Sequence, residues 1–525
     1  MTSFVDDEGG SLSGYAAGRP HRRLALGAVL VRALLIAALA PFAARRLPPV
    51  QPLVPAYQRA LVQVRHRRRV GTGPLLKAAT ALVLAAVTVL ASAQPKDRPF
   101  GEMLGLGVKF AQGQPLSQLP TLDELRVRWV RDLIVWPDIE PQRGNYVAFS
   151  SSFKQRLAYY RDHNIGLVAL ITLSNSKVYP ATPTDPALPF NAQAFANFAT
   201  TVAKMLKAEG VRFVIELGNE PHNSSLFKLL GGQWNGKPSS PWLDQYVRMV
   251  NAAVTAVKSY DASVRLLSQD DMWVLHYWFL EGGLPAKLDG FSVHPYVPGI
   301  PERAAIAQDT DWVKPFVAVD ADRSFTSAVR RLREQGLLKL QHTPEMWITE
   351  WGWPVGTDTK QVSEDTLAGY LPRAFILAAM AGVEAMTWFS AQDTVDGPMG
   401  LSDNNLRRRE SYTSFRVMAQ RLGPQKLLRQ VAGGGTPTSG PQGYLFQQLD
   451  ASSRTLVVWN VDATARWLPL PSGESGEGAV DALGRTLTPT TLDSGQRALR
   501  FDALPIYVSG AWSDAAISAA VGGIK

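Results

Sequence analysis

Between residues 100 and 423 the chain alternates two hydrophobic patterns. Short, nearly continuous apolar runs suit strands buried on both faces, and the longer stretches between them, with apolar residues every three or four positions, suit helices laid over those strands. Eight strands are expected: Leu104–Phe110, Trp129–Trp136, Gly166–Leu173, Arg212–Leu217, Val264–Ser268, Leu288–His294, Met346–Trp351 and Ala385–Phe389. The intervening helices carry their own punctuation. Thr121-x-x-Glu124 reads as a capping box. Asn191 is placed to cap a helix whose Phe195, Phe198, Val202 and Met205 share one face, with Gly210 ending it. Ser240-Pro241 opens another helix with proline at its first position, and Ser363 opens a long apolar helix reaching Met380. Eight strand–helix units over roughly 320 residues predict an α/β fold of the (β/α)8 TIM-barrel type. A doubly wound open sheet is the competing arrangement, but no Gly-rich phosphate loop follows the first strand.

Past residue 423 the pattern changes. A Gly/Pro/Ser/Thr-rich stretch (433–443) precedes short alternating runs at Tyr444–Gln448, Thr455–Asn460, Arg466–Leu470 and Leu499–Val508. These predict a small C-terminal antiparallel β-sandwich over 426–510, after a barrel at 95–425 and before a tail at 511–525. Residues 1–94 form a basic N-terminal region with two apolar runs. The run 24–44 is interrupted by Arg32; it could span a membrane, lie at the interface or derive from an upstream start codon. The run 78–93 carries no charge, follows R-H-R-R-R (65–69) and Lys77, and ends in Ala91-Ser92-Ala93. A basic flank, an apolar stretch and an A-x-A end have the pattern of an export signal or anchor. Residues from about 95 onward are therefore expected at a periplasmic or extracellular face, held to the membrane by this segment or released by cleavage near Ala93.

Charge agrees with that division. The formal net charge of +9 comes from 54 basic and 45 acidic residues, but 12 of the basic and only 3 of the acidic ones precede residue 94. The remainder is neutral, so the high pI gives no reason to expect nucleic-acid binding by the main body. With 0 cysteines there is no disulfide, thiolate metal site or Cys nucleophile. A metal enzyme on this fold would need converging His and Asp/Glu at ligand spacing. There is no H-E-x-x-H, and of 7 histidines only His294 falls at an expected strand mouth. No metal or cofactor is expected.

Functional groups of such a barrel gather at the C-terminal ends of its strands. Strand two carries Arg131 and Asp132 and ends at Trp136; Arg131 could instead be an ion-pair partner of Asp132. Strand four ends at Asn219-Glu220, with Pro221 and His222 behind. Strand six ends in His294-Pro295-Tyr296. Strand seven, W-I-T-E-W-G-W-P, ends at Glu350, with Trp351 and Trp353 beside it, and strand eight carries Trp388. Two carboxylates facing each other across one cavity, with aromatics around them, are what glycoside cleavage needs: one protonates the leaving oxygen and the other attacks or activates water.

N-E-P after strand four and E-W-G after strand seven, with H-P-Y between them, resemble the signature of the clan of retaining glycoside hydrolases whose glutamates sit on those strands. The barrel followed by a small sandwich is most similar to glycoside hydrolase family 39, including bacterial enzymes acting on biofilm exopolysaccharide. The likeness covers about residues 100–510. It implies Glu220 as acid/base, Glu350 as nucleophile, Asn219 on the 2-hydroxyl, His294 and Tyr296 orienting Glu350, Trp388 flooring the −1 subsite and Arg131 beside the nucleophile. Trp136, His222, Trp351, Trp353 and Lys109 (in G-V-K-F-A-Q-G) are further candidates for contacting sugar. A retaining mechanism calls for carboxyl groups about 5–5.5 Å apart. The abundant tryptophans and the expected tether lean toward endo cleavage of a long polymer. The alternatives are transglycosylation by the same residues and a membrane-tethered polysaccharide-binding or assembly protein working with export machinery.

Overall fold

The computed structural model describes residues 95–231, 240–271, 273–306, 310–450, 453–471 and 478–525. The apolar runs 24–44 and 78–93 lie outside these residues. Among the described residues no helix is long and apolar enough to cross a membrane.

Eight parallel strands close into a barrel in chain order, with the first pairing the last. They are β1 (Leu104–Gly107), β2 (Trp129–Ile134), β3 (Gly166–Ile171), β4 (Phe213–Leu217), β5 (Leu266–Asp270), β6 (Gly290–Val293), β7 (Glu345–Ile348) and β8 (Met386–Trp388). All eight expected strands are present, but most stop short of their expected ends. His294 and Glu350 lie just past their strands and Trp136 begins a one-turn helix. The longer helices are α1 (Ser151–Asp162), α2 (Ala192–Ala208), α3 (Pro241–Tyr260), α4 (Trp273–Glu281), α5 (Phe325–Leu340), α6 (Glu364–Met380) and α7 (Glu410–Leu422). Asn191 Oδ1 caps α2 by accepting from Ala194 N at 2.9 Å, and Ser363 Oγ caps α6 at Thr366 N, 3.1 Å. Each cap contributes about 1 kcal/mol. The capping box does not form. The helix there, Pro120–Glu124, begins at its proline, with Leu119 as N-cap and no side-chain cap.

Strand parity divides the barrel's residues into two sets. Trp129, Val168, Val214, Leu267, Trp347 and Ala385 form a cluster of their own, separate from the main core, and so fill the barrel interior. Trp129 and Trp347 meet edge to face at 4.8 Å. Two residues further along their strands, on the same face, come Arg131, Glu216, Gln269, Thr349 and Thr387, with Leu170 of β3 the one apolar member. The interior thus changes from apolar to mostly polar in one step toward the C-terminal mouth. Residues of the opposite parity, such as Leu106, Val130, Ile215, Met346 and Trp388, join the core beneath the helices.

The C-terminal part follows the same logic. β9 (Gln425–Ala432), β10 (Pro441–Gln448), β11 (Arg454–Asn460), β12 (Arg466–Pro469), β13 (Val480–Asp481), β14 (Thr490–Thr491), β15 (Arg497–Phe501) and β16 (Ile506–Gly510) make one sheet ordered β13-β16-β11-β10-β9 and a second ordered β12-β15-β14. The stretch expected as one run at 499–508 is two strands joined by a turn. In the larger sheet, Tyr444, Phe446, Val457 and Trp459 join the barrel's core, and the alternate residues Leu445, Leu456 and Val458 pack with Leu468, Leu499 and Phe501 of the smaller sheet. The residues after 510 form a helix, α8 (Asp514–Gly522), which buries Ile517 and Ala520 in that second core.

An ion pair crosses the junction. Glu302, in the loop after β6, receives Arg373 of α6 through Nε at 2.9 Å and Nη2 at 2.5 Å, and Trp459 of β11 donates Nε1–H to the same carboxylate at 2.8 Å. The two charged side chains are 0% and 1% exposed. Removing one partner strands a charge away from water. Glu302→Ala is therefore expected to destabilise the fold by about 3–5 kcal/mol, measured by guanidinium unfolding. A loss under about 1 kcal/mol, the range of a surface pair, would sink the idea that this pair is sealed.

Candidate active site

Where β4 ends, the backbone leaves the strand abruptly. Gly218 has φ +93°, and a Cβ there would stand 2.5 Å from Leu173, so only glycine fits the turn. Two residues on, Glu220 has φ +42°. A non-glycine residue held there costs on the order of 1–3 kcal/mol. The surroundings fix it: Gln269 Oε1 on β5 accepts from its N–H, and its carbonyl accepts from Asn223 N at 2.8 Å. The result aims the Glu220 carboxylate at the barrel mouth.

The polar interior layer supports what lies above it. Arg131 donates from Nε to Glu216 Oε2 (2.6 Å), from Nη1 to Glu350 Oε1 (2.5 Å) and from Nη2 to Asn219 Oδ1 (2.7 Å). One guanidinium therefore ties β2, β4 and the end of β7 together. Asp132, of opposite parity, faces away and pairs with Arg156 at 3.0 Å, so Arg131 is not its partner. The Tyr296 hydroxyl donates to Glu350 Oε2 at 2.8 Å. His294 Nδ1 lies 2.8 Å from Glu220 Oε1 and 3.6 Å from Glu350 Oε2. Carboxylate oxygens of Glu220 and Glu350 and a ring nitrogen of His294 all fall within 4.8 Å of one another.

The same neighbours act on both carboxylates. Burial alone would raise both. At Glu350 this is outweighed by the charges of His294 and Arg131, which hold it below the usual range. At Glu220 the hydrogen bond and charge of His294, then Asn223 and Arg131, overcome burial and bring it down to about 2. Burial and the neighbouring Glu350 push the Tyr296 hydroxyl well up, which keeps it a donor.

The sequence matches no protein-family model and no curated protein. Among solved structures, a family 39 glycoside hydrolase from the gut symbiont Bacteroides cellulosilyticus WH2 aligns with a TM-score of 0.61 over 78% of this chain and 81% of that one, at 19% identity. The two share a fold. A monomeric β-xylosidase from Caulobacter crescentus CB15 aligns at a TM-score of 0.44 (18% identity; 70% of this chain, 74% of that one). A GH30 endoxylanase from Clostridium papyrosolvens C71 aligns at 0.49 (12% identity; 80% and 98%).

Of the sequence-derived candidates, the structure gathers Glu220, Glu350, Asn219, His294, Tyr296 and Arg131 around one point. Lys109 also reaches the mouth. Its Nζ stands 4.8 Å over the Phe389 ring, and its charge helps hold Glu350 down. His222 lies behind Glu220, its Nδ1 2.7 Å from Asp270 and 3.1 Å from Asp271. Burial would lower this imidazole, but Asp270 and Asp271 raise it to about 9. These three side chains and the Glu220–His294–Glu350 set are the two groups of described residues with metal-ligand spacing. In the second set Arg131, Tyr296 and Asn223 already engage the carboxylates.

Four expected sugar-contacting tryptophans are elsewhere. Trp136 is stacked on Phe198 and donates to Glu140 Oε2 at 2.7 Å. Trp351 stacks on Phe325 at the start of α5. Trp353 donates to Val297 O at 2.8 Å and so braces the loop carrying Tyr296. Trp388 faces outward beside Trp353, fully buried, and does not floor the cavity. The residue after it, Phe389, has the inward parity of Ala385 and Thr387. With Lys109, Arg131 and Leu170 it lines a cavity at the mouth of strands one, two, three and eight, whose lining includes neither glutamate. Phe389, Thr349, Gln269 and Asn223 were not read from the sequence. Parity counted forward from Ala385 finds the first, and the polar Thr349 between apolar Ile348 and Glu350 is a signal for the second.

Proposed function

We propose that this chain is a retaining glycoside hydrolase acting on a polysaccharide, with Glu350 as nucleophile and Glu220 as acid/base. The observation that carries the reading is the separation of the two carboxylates, whose oxygens approach within 4.8 Å. Oxygens that close favour the shorter retaining arrangement, with direct attack at the anomeric carbon, over the wider one that admits a water in inverting enzymes. His294 and Arg131 hold Glu350 charged, and Arg131 and Tyr296 aim it, as a nucleophile needs. Asn219, fixed by Arg131, is placed to meet a 2-hydroxyl. The shared fold with a family 39 glycoside hydrolase supports the same reading.

The substrate is proposed to be a bacterial exopolysaccharide cleaved internally outside the cytoplasmic membrane, on the strength of the signal-like segment before residue 94. Tryptophan abundance lends this no support, because 11 of the 14 tryptophans are buried. A product-size and reducing-end assay on the organism's own extracellular polysaccharides tests it, with Glu350→Gln as control. Long products early in the digest are expected. Monosaccharide release alone would replace endo with exo action, and polymer bound without new reducing ends would favour an assembly protein. Fractionation of tagged protein tests export, which a wholly cytosolic product would refute.

A further inference from the structure

The ladder between β4 and β5 breaks beside the acid/base. Parallel strands are joined by evenly spaced bonds, repeated every second residue. Ile215 follows that rule and donates to Arg265 O at 3.0 Å. The register pairs Ile215 with Leu266 and Leu217 with Ser268. Continued to the mouth, the pattern has the Gln269 N–H donate to Leu217 O. Instead it donates to the phenolic oxygen of Tyr246 at 2.9 Å, and that hydroxyl donates to Leu217 O, also at 2.9 Å. The single hydrogen of the hydroxyl goes to this carbonyl, because Gln269 O stands farther off at 3.4 Å. A side chain of α3 has entered the sheet in place of a backbone bond. The two strand ends stand apart by the width of its oxygen.

Tyr246 is wholly buried, with its ring against Phe279 of α4 at 4.8 Å. Leu217 O and the Gln269 N–H would satisfy each other unaided, so the phenol is not there merely to pair them. What it grips is both ends of the turn that carries Glu220. The Leu217 carbonyl belongs to the peptide unit that leads into Gly218, where the backbone enters the left-handed region at φ +93°. Gln269 closes the turn, since its Oε1 accepts from the N–H of Glu220, itself at φ +42°. Resting on the glycosidase reading above, we propose that Tyr246 is a positioning residue for the acid/base, a wedge that holds β4 and β5 apart so that the Gln269 amide meets Glu220. It touches neither substrate nor the reacting atoms. Without the hydroxyl the ladder closes on itself: the Gln269 N–H bonds Leu217 O directly, at the usual length of about 2.9 Å. That draws Gln269 toward β4 and takes its amide off the Glu220 N–H. A non-glycine residue at positive φ stays there only while its surroundings hold it. Glu220 then relaxes and its carboxylate loses its aim. Glu350 keeps its own supports, Arg131 and Tyr296.

Tyr246→Phe in the full-length protein deletes the wedge oxygen and keeps the ring. Its unfolding midpoint should stay near that of the wild type, because the freed backbone pair closes. A collapsed midpoint would overturn the wedge, since that pair would then have failed to close. On a glycoside with a sugar leaving group, kcat should fall about 10²-fold, the scale of a reacting group misplaced by about 1 Å, with KM little changed. On a dinitrophenyl glycoside the burst of phenolate should persist, and the slower turnover after it should be restored by azide. Gln269→Met, which removes the acceptor from the Glu220 N–H, should give the same pattern. The double variant should lose no more than Gln269→Met alone, as when one residue acts through another. Losses that multiply in the double variant, or a burst that falls with the steady rate, would overturn the wedge. A crystal structure of Tyr246→Phe reads the geometry by itself. A direct Gln269–Leu217 bond is expected, with Glu220 out of the left-handed region; Glu220 still held there by Gln269 would overturn the proposal. If the wild type cleaves neither glycoside, the glycosidase reading fails, and that crystal structure still decides whether Tyr246 sets the turn.

Discussion

Glu350→Gln should lose turnover by a factor on the order of 10⁶, the scale seen when a covalent nucleophile is deleted. The amide is the same shape and can still meet Arg131 and Tyr296, so the fold and the pocket should survive. What disappears is the electron pair that bonds to the anomeric carbon. The loss should be the same for good and poor leaving groups, because no glycosyl–enzyme can form with either. A slow, fluorinated glycosyl fluoride should label the wild type once, on the peptide containing Glu350, and leave Glu350→Gln unlabelled in intact-mass spectra. Label on another peptide would remove Glu350 from the role.

Glu220→Gln should show the opposite selectivity. Loss of a general acid costs about 10²–10⁴-fold where the leaving oxygen needs a proton, and little for glycosylation where dinitrophenolate leaves unaided. For the activated substrate the second step, which needs a base, becomes limiting, so a burst of phenolate followed by slow turnover is expected. Added azide, which needs no base, should restore turnover and yield a glycosyl azide of retained configuration. Uniform loss across leaving groups, with no burst and no azide rescue, would make Glu220 a structural residue.

Much of this was readable in advance because the two periodicities of the chain are strong. Continuous apolar strands and capped amphipathic helices alternate eight times, and the ends of strands four and seven carry the only N-E-P and E-W-G. What misled was parity. A strand's direction alternates at each residue, and a reading that locates a strand to within two positions cannot say which of Trp388 and Phe389 looks inward. Aromatic size drew attention to the tryptophan, yet large apolar side chains are needed most where barrel meets helices, and there Trp351, Trp353 and Trp388 went. The capping box failed for a related reason: Pro120, one residue earlier, starts that helix by itself. Glu216 was visible as an anomaly, an acid inside an apolar strand, but its purpose depends on Arg131 and Thr349, which are 85 and 133 residues away. Contacts of that separation follow from barrel closure and from nothing local.

The clasp among Glu302, Arg373 and Trp459 has a consequence for how such a chain can change over time. Glu302 lies six positions after Tyr296, in the loop that delivers that hydroxyl to Glu350, and one of its three hydrogen bonds comes from the sandwich. A recombination event joining this barrel to a different C-terminal module would orphan a buried carboxylate within the nucleophile's own supporting loop. Barrel and sandwich are thus transmissible only as a pair, and an ancestry drawn from either half should trace the other.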